Sequence, residues 1–482
     1  MEKSLNGDRM VFSSLVFLCI FLPVTYLLHL VIPSIRAKNI LLIAASLVFY
    51  AYGEPVYVLC MLASAAVNYI MAYFIGKSER KKAFLAIDIV FNIGMLVFFK
   101  YTGFIVEQIN NLCACSIPVP SITLPVGISF FTFQAMSYVI DVYRKDAEAQ
   151  KNFGKVLLYI SFFPQLIAGP IVKYHDINTQ IDSRQVTSCE SALGLRRFIC
   201  GLGKKVIIAN SMGQVADIIF SAPDSDINIL TSWLGALAYM MQIYFDFSGY
   251  SDMAIGLGRM FGFRFKENFL YPYGSSSVKE FWRRWHISLS SWFKEYVYIP
   301  LGGNRKGRGR TCVNKLIVFF LTGLWHGANW TFIIWGLFHG AFLLFEEYAG
   351  VLKKLPKLLM RIYTLLVVCV GFVIFRADDI SQGLMMIRNM FSGFSMSDSS
   401  LSLALTQLTP WFIFAFAAAV IISAPIKPLT EKLRLKLDAS AAVSGRLMIL
   451  QTVLYILAAI LLFWCILRLS GDAYNPFIYF RF

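Results

Sequence analysis

His326 lies eleven residues beyond Lys315, inside the apolar run LIVFFLTGLWHGANWTFIIW. If that run is helical and Lys315 marks a membrane surface, His326 sits about 16 Å deep, near the middle of the bilayer. An ionisable side chain at that depth is costly and marks a functional site by default. Burial favours the neutral imidazole, which suits proton transfer near pH 7. The plainer alternative is a neutral histidine hydrogen-bonding between helices. The other histidines are His29, His175, His286 and His339. His29 and His175 read as structural. His339, 13 residues past His326, is turned by about 220° on an unbroken helix and cannot share its face. No H-E-x-x-H or carboxylate cluster accompanies them, so no metal site is assigned.

Two further stretches concentrate polar chemistry. In QIYFDFSGYSD, from Gln242 to Asp252, the carboxylates Asp246 and Asp252 lie among aromatics including Tyr244. Buried carboxylates must be hydrogen-bonded or reach an aqueous cavity. They could orient a histidine or bind an acceptor hydroxyl, or simply join helices, aided by the small residues Gly258 and Gly262. The loop IPLGGNRKGRGR carries Arg305, Lys306, Arg308 and Arg310 without a Walker A pattern. Such flexible positive charge suits lipid phosphates or the phosphates of an acyl donor.

The elements that must position these residues are transmembrane helices. The 482 residues are 57% hydrophobic and only 15% charged, which excludes a soluble domain. Long apolar runs recur from Val11 to Leu467, and we expect an all-α polytopic protein with about 11 transmembrane helices plus interfacial and re-entrant pieces. The formal charge of +16 falls mostly in short connections between apolar runs, which reads as positive-inside topology and contact with anionic lipids, not nucleic acid. The basic connections are 77–82, 196–205, 294–315, 353–361 and 427–436. They are expected on the cytoplasmic side, with Cys113 and Cys115 outside. In EFWRRWHISLSSWFKEY, Phe281, Trp285, Leu289, Trp292 and Tyr296 recur at helical spacing, predicting one amphipathic helix at the interface or plugging the bundle. His286 lies close beside this stripe.

Nine cysteines are scattered mainly through apolar runs without zinc-site spacing. Residues 1–9 are expected to form a disordered tail and 10–482 a single membrane domain, with its catalytic region at about 240–340. The first apolar run lacks a cleavage pattern and reads as a retained span.

The stretches YFDFSGYSDMAIGLGRMFGFRFKENFLYPY, FWRRWHISLSSWFKEYVYIPLGGN and LTGLWHGANW closely resemble the membrane-bound O-acyltransferase (MBOAT) family. The likeness is strongest to the branch of alginate O-acetylation membrane subunits and their relatives in teichoic acid D-alanylation. MVFSSLVF, LPVGISF, AGP, FRA and NPFIYF extend it over nearly the whole chain. The resemblance implies a helical bundle around a thin central region. It also implies His326 as catalytic histidine and His286 as the second characteristic one. Within the matched motifs, Tyr244, Asp246, Asp252, Trp285, Trp325 and Asn329 stand as substrate-binding or supporting residues. Arg305, Lys306, Arg308 and Arg310 are assigned to the donor. The implied reaction moves an acyl group, usually acetyl, from a cytoplasmic thioester such as acetyl-CoA or an acyl carrier protein toward hydroxyls of an extracellular polysaccharide. No tightly bound cofactor is implied. An extracytoplasmic serine hydrolase-like transferase or relay protein is the implied partner, and the bacterial cytoplasmic membrane the implied location. A transporter or flippase of an acyl-bearing substrate, D-alanyl transfer to teichoic acid, and a purely structural role in an export complex are the competing readings.

Overall fold

The computed structural model describes residues 10–350, 355–425, 443–471 and 474–480. The expected tail at 1–9 and the basic connection 427–436 lie outside them, as do Lys353 and Lys354. Every regular element among the described residues is a helix.

The expected number of spans is wrong. Among the described residues, five helices are long and apolar enough to cross a membrane: Ile35–Gly53, Tyr57–Lys77, Lys81–Cys113, Lys357–Arg376 and Ile449–Gly471. A sixth is reached only if Asp398–Gln407 and Pro410–Ser423, bent by 66° at their junction, count as one. The other apolar runs are apolar for a different reason: they form the protein interior. The run at 154–172 breaks into Phe153–Ser161 and Phe163–Leu166, with Pro164 at the start of the second helix. Ile128–Arg144 has 17 residues and is buried from Phe130 to Val142. Gly307–His326 is long enough but opens on charged Arg308 and Arg310. Hydropathy alone does not separate a lipid-facing helix from one wrapped in protein.

At the centre stands Ile229–Met260, 32 residues or about 48 Å long. Its start is fixed by Asn228, whose side chain accepts from the Leu230 and Thr231 amides while Thr231 Oγ1 accepts from the Asn228 amide. Its most extensive neighbour is Ser188–Gly203. The two meet along a glycine seam. A Cβ on Gly201 would fall 2.5 Å from the Gly249 carbonyl oxygen, and one on Gly194 or Gly256 would fall 2.6 Å from the other's oxygen. Close backbone approach of this kind is how helices associate without a hydrophobic driving force between them. Gly258 and Gly262, expected to supply that contact, do otherwise. Gly258 accommodates the Phe265 ring, and Gly262 turns the chain off the helix end at φ +85°.

Candidate active site

His326 is the last residue of Gly307–His326, and what finishes that helix comes from far away in sequence. Lys100 Nζ donates to the carbonyl oxygens of Trp325 (2.7 Å) and His326 (2.8 Å), and Tyr101 Oη donates to that of Leu324. The last carbonyls of a helix have no partner within it and carry the negative end of its dipole, so a lysine there both satisfies and neutralises them. Lys100 and Tyr101 lie on a π-helical turn, Val97–Tyr101, in an otherwise α-helical span. Such insertions recur at functional sites. The imidazole itself is surrounded by aromatic edges: ring centroids of Trp325, Trp335 and Phe375 lie at 4.9, 5.1 and 5.1 Å.

His286 is held differently. The amphipathic helix expected across 280–296 is broken into Val278–Arg284 and Ile287–Phe293, continued by a π-helical turn at Lys294–Tyr298. Its apolar stripe is buried nevertheless, so the segment plugs the bundle. His286 occupies the break in the left-handed conformation (φ 43°, ψ 54°), which disfavours a side chain by about 1–2 kcal/mol. Asn268, fully buried, pins it. Its backbone oxygen accepts from the Ile287 amide (3.0 Å), and its Oδ1 accepts from the Ser288 amide (3.1 Å) and hydroxyl (2.9 Å). Asn268 Nδ2 donates in turn to Ser251 Oγ (3.1 Å). Asn268 Oδ1 also lies 3.3 Å from His286 Nδ1, and Ser288 Oγ lies 3.4 Å from it, so this edge of the ring is held by Asn268 and Ser288. The other ring nitrogen, Nε2, is buried with no hydrogen-bond partner among the described residues.

Trp325 separates the two imidazoles, its centroid 5.8 Å from His286 and 4.9 Å from His326. His326 lines two cavities. One, about 80 Å³, is walled by Lys100, Pro125, Gly127, Ser129 and Trp325. The other is an apolar slot between Trp285, Phe247, Phe372 and Phe375. Tyr479 lines both, with its ring 4.8 Å from Phe247 and 5.2 Å from Phe130. A third and larger cavity, about 420 Å³, approaches from the other side of Asn268 and is lined by Arg196, Arg197, Lys204, Tyr244 and Asp252.

The structure thus brings His326, His286, Trp325 and Trp285 together and places Tyr244 on the charged vestibule, 6.1 Å ring to ring from Trp285. The two carboxylates join helices. Asp246 pairs with Lys205 at 2.8 Å, both nearly fully buried, and its Oδ2 accepts from the Ile478 amide (2.9 Å). Asp252 takes Arg197 (2.8 Å) and Lys204 (2.6 Å). Asn329 caps Trp330–Tyr348 and donates to the Asp378 carbonyl (2.9 Å), outside the His326 cavities. Arg305, Lys306, Arg308 and Arg310 are all exposed where Gly307–His326 begins, at the end away from His326. His339 is buried between Trp282 and Trp335, each 5.2 Å away. Cys113 and Cys115 are free thiols. No group of three His, Cys, Asp or Glu side chains among the described residues could hold a metal.

Sequence reasoning missed Lys100, Asn268 and Tyr479. Lys100 had a signal, a lone cation directly after an apolar run. Asn268 and Tyr479 had only their places within matched motifs.

The model of the membrane-bound O-acyltransferase family matches residues 126–387. The chain is 40% identical to the probable alginate O-acetylase AlgI of Azotobacter vinelandii, over 98% of this chain and 100% of that one. It is 36% identical to the peptidoglycan O-acetyltransferase of Helicobacter pylori, over 79% of this chain and 80% of that one. A teichoic acid D-alanyltransferase of Bacillus subtilis is 31% identical over 52% of this chain and 68% of its own. On these matches the chain belongs to the membrane-bound O-acyltransferase family, and it is a multi-pass membrane O-acyltransferase.

Proposed function

We propose that this protein moves an acetyl group from a cytoplasmic thioester toward hydroxyls of a cell-surface polysaccharide, with His326 as general base. The observation that carries the reading is the placement of two buried histidines between cavities of opposite character. A charged vestibule reaches Asn268 and hence His286, and His326 lines the two cavities beyond Trp325. The full-length similarity to a probable alginate O-acetylase supports acetyl as the group and a polysaccharide as its destination.

In this reading a thioester enters past Arg196, Arg197 and Lys204, with its anionic end toward the exposed Arg305, Lys306, Arg308 and Arg310. The acceptor oxygen attacks the thioester carbonyl, so a C–O bond forms and the C–S bond breaks. His326 takes the hydroxyl proton and returns it to the leaving thiolate. His286, its Nδ1 edge held by Asn268 and Ser288, positions the reacting groups. Asp246 and Asp252 act through structure, holding Lys205, Arg197 and Lys204. Tyr479 brings a hydroxyl to the wall shared by both His326 cavities. An extracytoplasmic serine hydrolase-like protein receives or relays the group, and anionic lipids meet the basic connections.

The test is ester analysis of the surface polymer from cells with and without the protein. Loss of O-acetyl esters, restored by the wild type and not by His326→Ala, is the expected result. Unchanged acetylation, or loss of D-alanyl esters instead, contradicts it.

A further inference from the structure

The apolar slot beside His326 is small, about 10 Å³, which is room for a single group near the size of a water molecule. Its walls are Phe247, Trp285, Trp335, Phe372 and Phe375, none more than 4% exposed, together with Ile243. The rings brace one another. Phe372 lies 5.2 Å from Trp285 and Phe375 lies 4.9 Å from Trp335, while Trp335 and Phe375 each stand 5.1 Å from the His326 imidazole. Walls packed in this way do not admit an extra methylene without strain.

The slot lies between the charged vestibule and His326. Phe269, on the vestibule wall, stands 4.9 Å from Phe247 and 5.1 Å from Trp285, and those two rings line the slot. The other His326 cavity is lined by Lys100 and Ser129, whereas no carboxylate, amine or guanidinium lines the slot. A hydroxyl-bearing reactant therefore finds polar partners on one side of His326, and an apolar group finds its match on the other.

We infer that the slot receives the methyl of the transferred acetyl group and sets the upper limit on acyl length, with Ile243 and Phe372 as specificity-determining residues. The inference rests on the acyl-transfer reading and adds the physical reason for two carbons. The step is unchanged: the acceptor oxygen takes the acyl carbon, the C–S bond breaks, and the hydroxyl proton ends on the thiolate. A propionyl or butyryl chain would have to push the rings apart, and one methylene is worth about 10- to 200-fold in such discrimination. A D-alanyl group would bring an ammonium into a slot that offers no counter-charge, so the same walls exclude it.

The test is single-turnover transfer by the purified full-length protein, with the proposed extracytoplasmic partner, from acetyl, propionyl, butyryl and D-alanyl thioesters. Each is offered on coenzyme A and on a holo acyl carrier protein. Wild type should prefer acetyl to propionyl by at least about tenfold and leave butyryl and D-alanyl nearly untouched. Ile243→Ala and Phe372→Leu, which remove bulk from the walls, should each raise the propionyl-to-acetyl rate ratio about tenfold and leave D-alanyl poor. A wild type that transfers butyryl as fast as acetyl would overturn the inference. So would variants that slow every thioester in parallel with the ratio unchanged, since that is what a merely structural role produces. Both residues are buried, so if one variant fails to fold the other decides, and the wild-type selectivity is read without either. Transfer without length selection sinks the slot alone, whereas no transfer from any thioester sinks the acyl-transfer reading itself.

Discussion

His286 and His326 stand on either side of Trp325, yet they are built in opposite ways. His286 occupies a strained position between two short helices, and its Nδ1 edge is held by Asn268 and Ser288. His326 ends a regular helix, is enclosed by aromatic edges, and owes its place to a lysine that holds its backbone carbonyl. The first arrangement fixes a ring by one of its edges. The second fixes a backbone and sets the ring among aromatic edges beside two cavities, which is where a group that must meet a substrate belongs.

If that contrast is right, substitutions should divide accordingly. The largest effect is expected from His326→Gln, which should lower acetyl transfer by about 100- to 10,000-fold while donor binding persists. Next comes Asn268→Ala, which removes the acceptor for the Ser288 amide and the contact to His286 Nδ1. It should destabilise the protein by about 1–3 kcal/mol and slow transfer, while Asn268→Asp, which keeps the oxygen, should recover most of the rate. Lys100→Met strips the Trp325 and His326 carbonyls of their donor and should lower thermal stability by a comparable amount, with a smaller loss of rate than Asn268→Ala. Equal loss of rate in both would erase the distinction between fixing a ring and fixing a backbone.

Combined charge reversal of Arg305, Lys306, Arg308 and Arg310 should weaken donor use by a few fold, more at low salt, because these exposed charges are screened. An unchanged donor requirement would leave lipid contact as their role. The smallest effect concerns His175, whose Nδ1 is 2.9 Å from Asp141 Oδ2. That hydrogen bond raises the His175 pKa above its ordinary 6.5, against the opposing effect of partial burial. A raised folded-state pKa gives stability that is full below the ordinary value and lost as pH rises through the raised one. Thermal stability should therefore drop slightly as pH climbs above about 6.5, and the dependence should shrink in Asp141→Asn, with Asp176, 3.4 Å from the His175 Nε2, sustaining the remainder. A pH-independent wild type would contradict the pair's contribution.

Helical class, membrane character and the burial of His286 and His326 were legible in the sequence, because apolar composition and spacing are local signals. The number of spans was not. Residues 125–142 and 154–172 read as spans but bury against other helices, and composition does not record what covers a helix. The break at His286 was equally hidden. Apolar spacing runs unbroken through it, and the cause is Asn268, 18 residues away. The ion pairs of Asp246 with Lys205 and of Asp252 with Arg197 and Lys204 were hidden as well, because the partners come from another helix and no spacing rule joins them.

The central claim, that His326 carries the proton transfer and His286 positions, is tested most directly by single-turnover transfer from a labelled acetyl thioester. Purified wild-type, His326→Ala and His286→Ala proteins would be compared with the proposed extracytoplasmic partner present, after folding and donor binding are verified. The account predicts transfer nearly abolished in the His326 variant and a smaller loss in the His286 variant; near-normal transfer without His326 would contradict it.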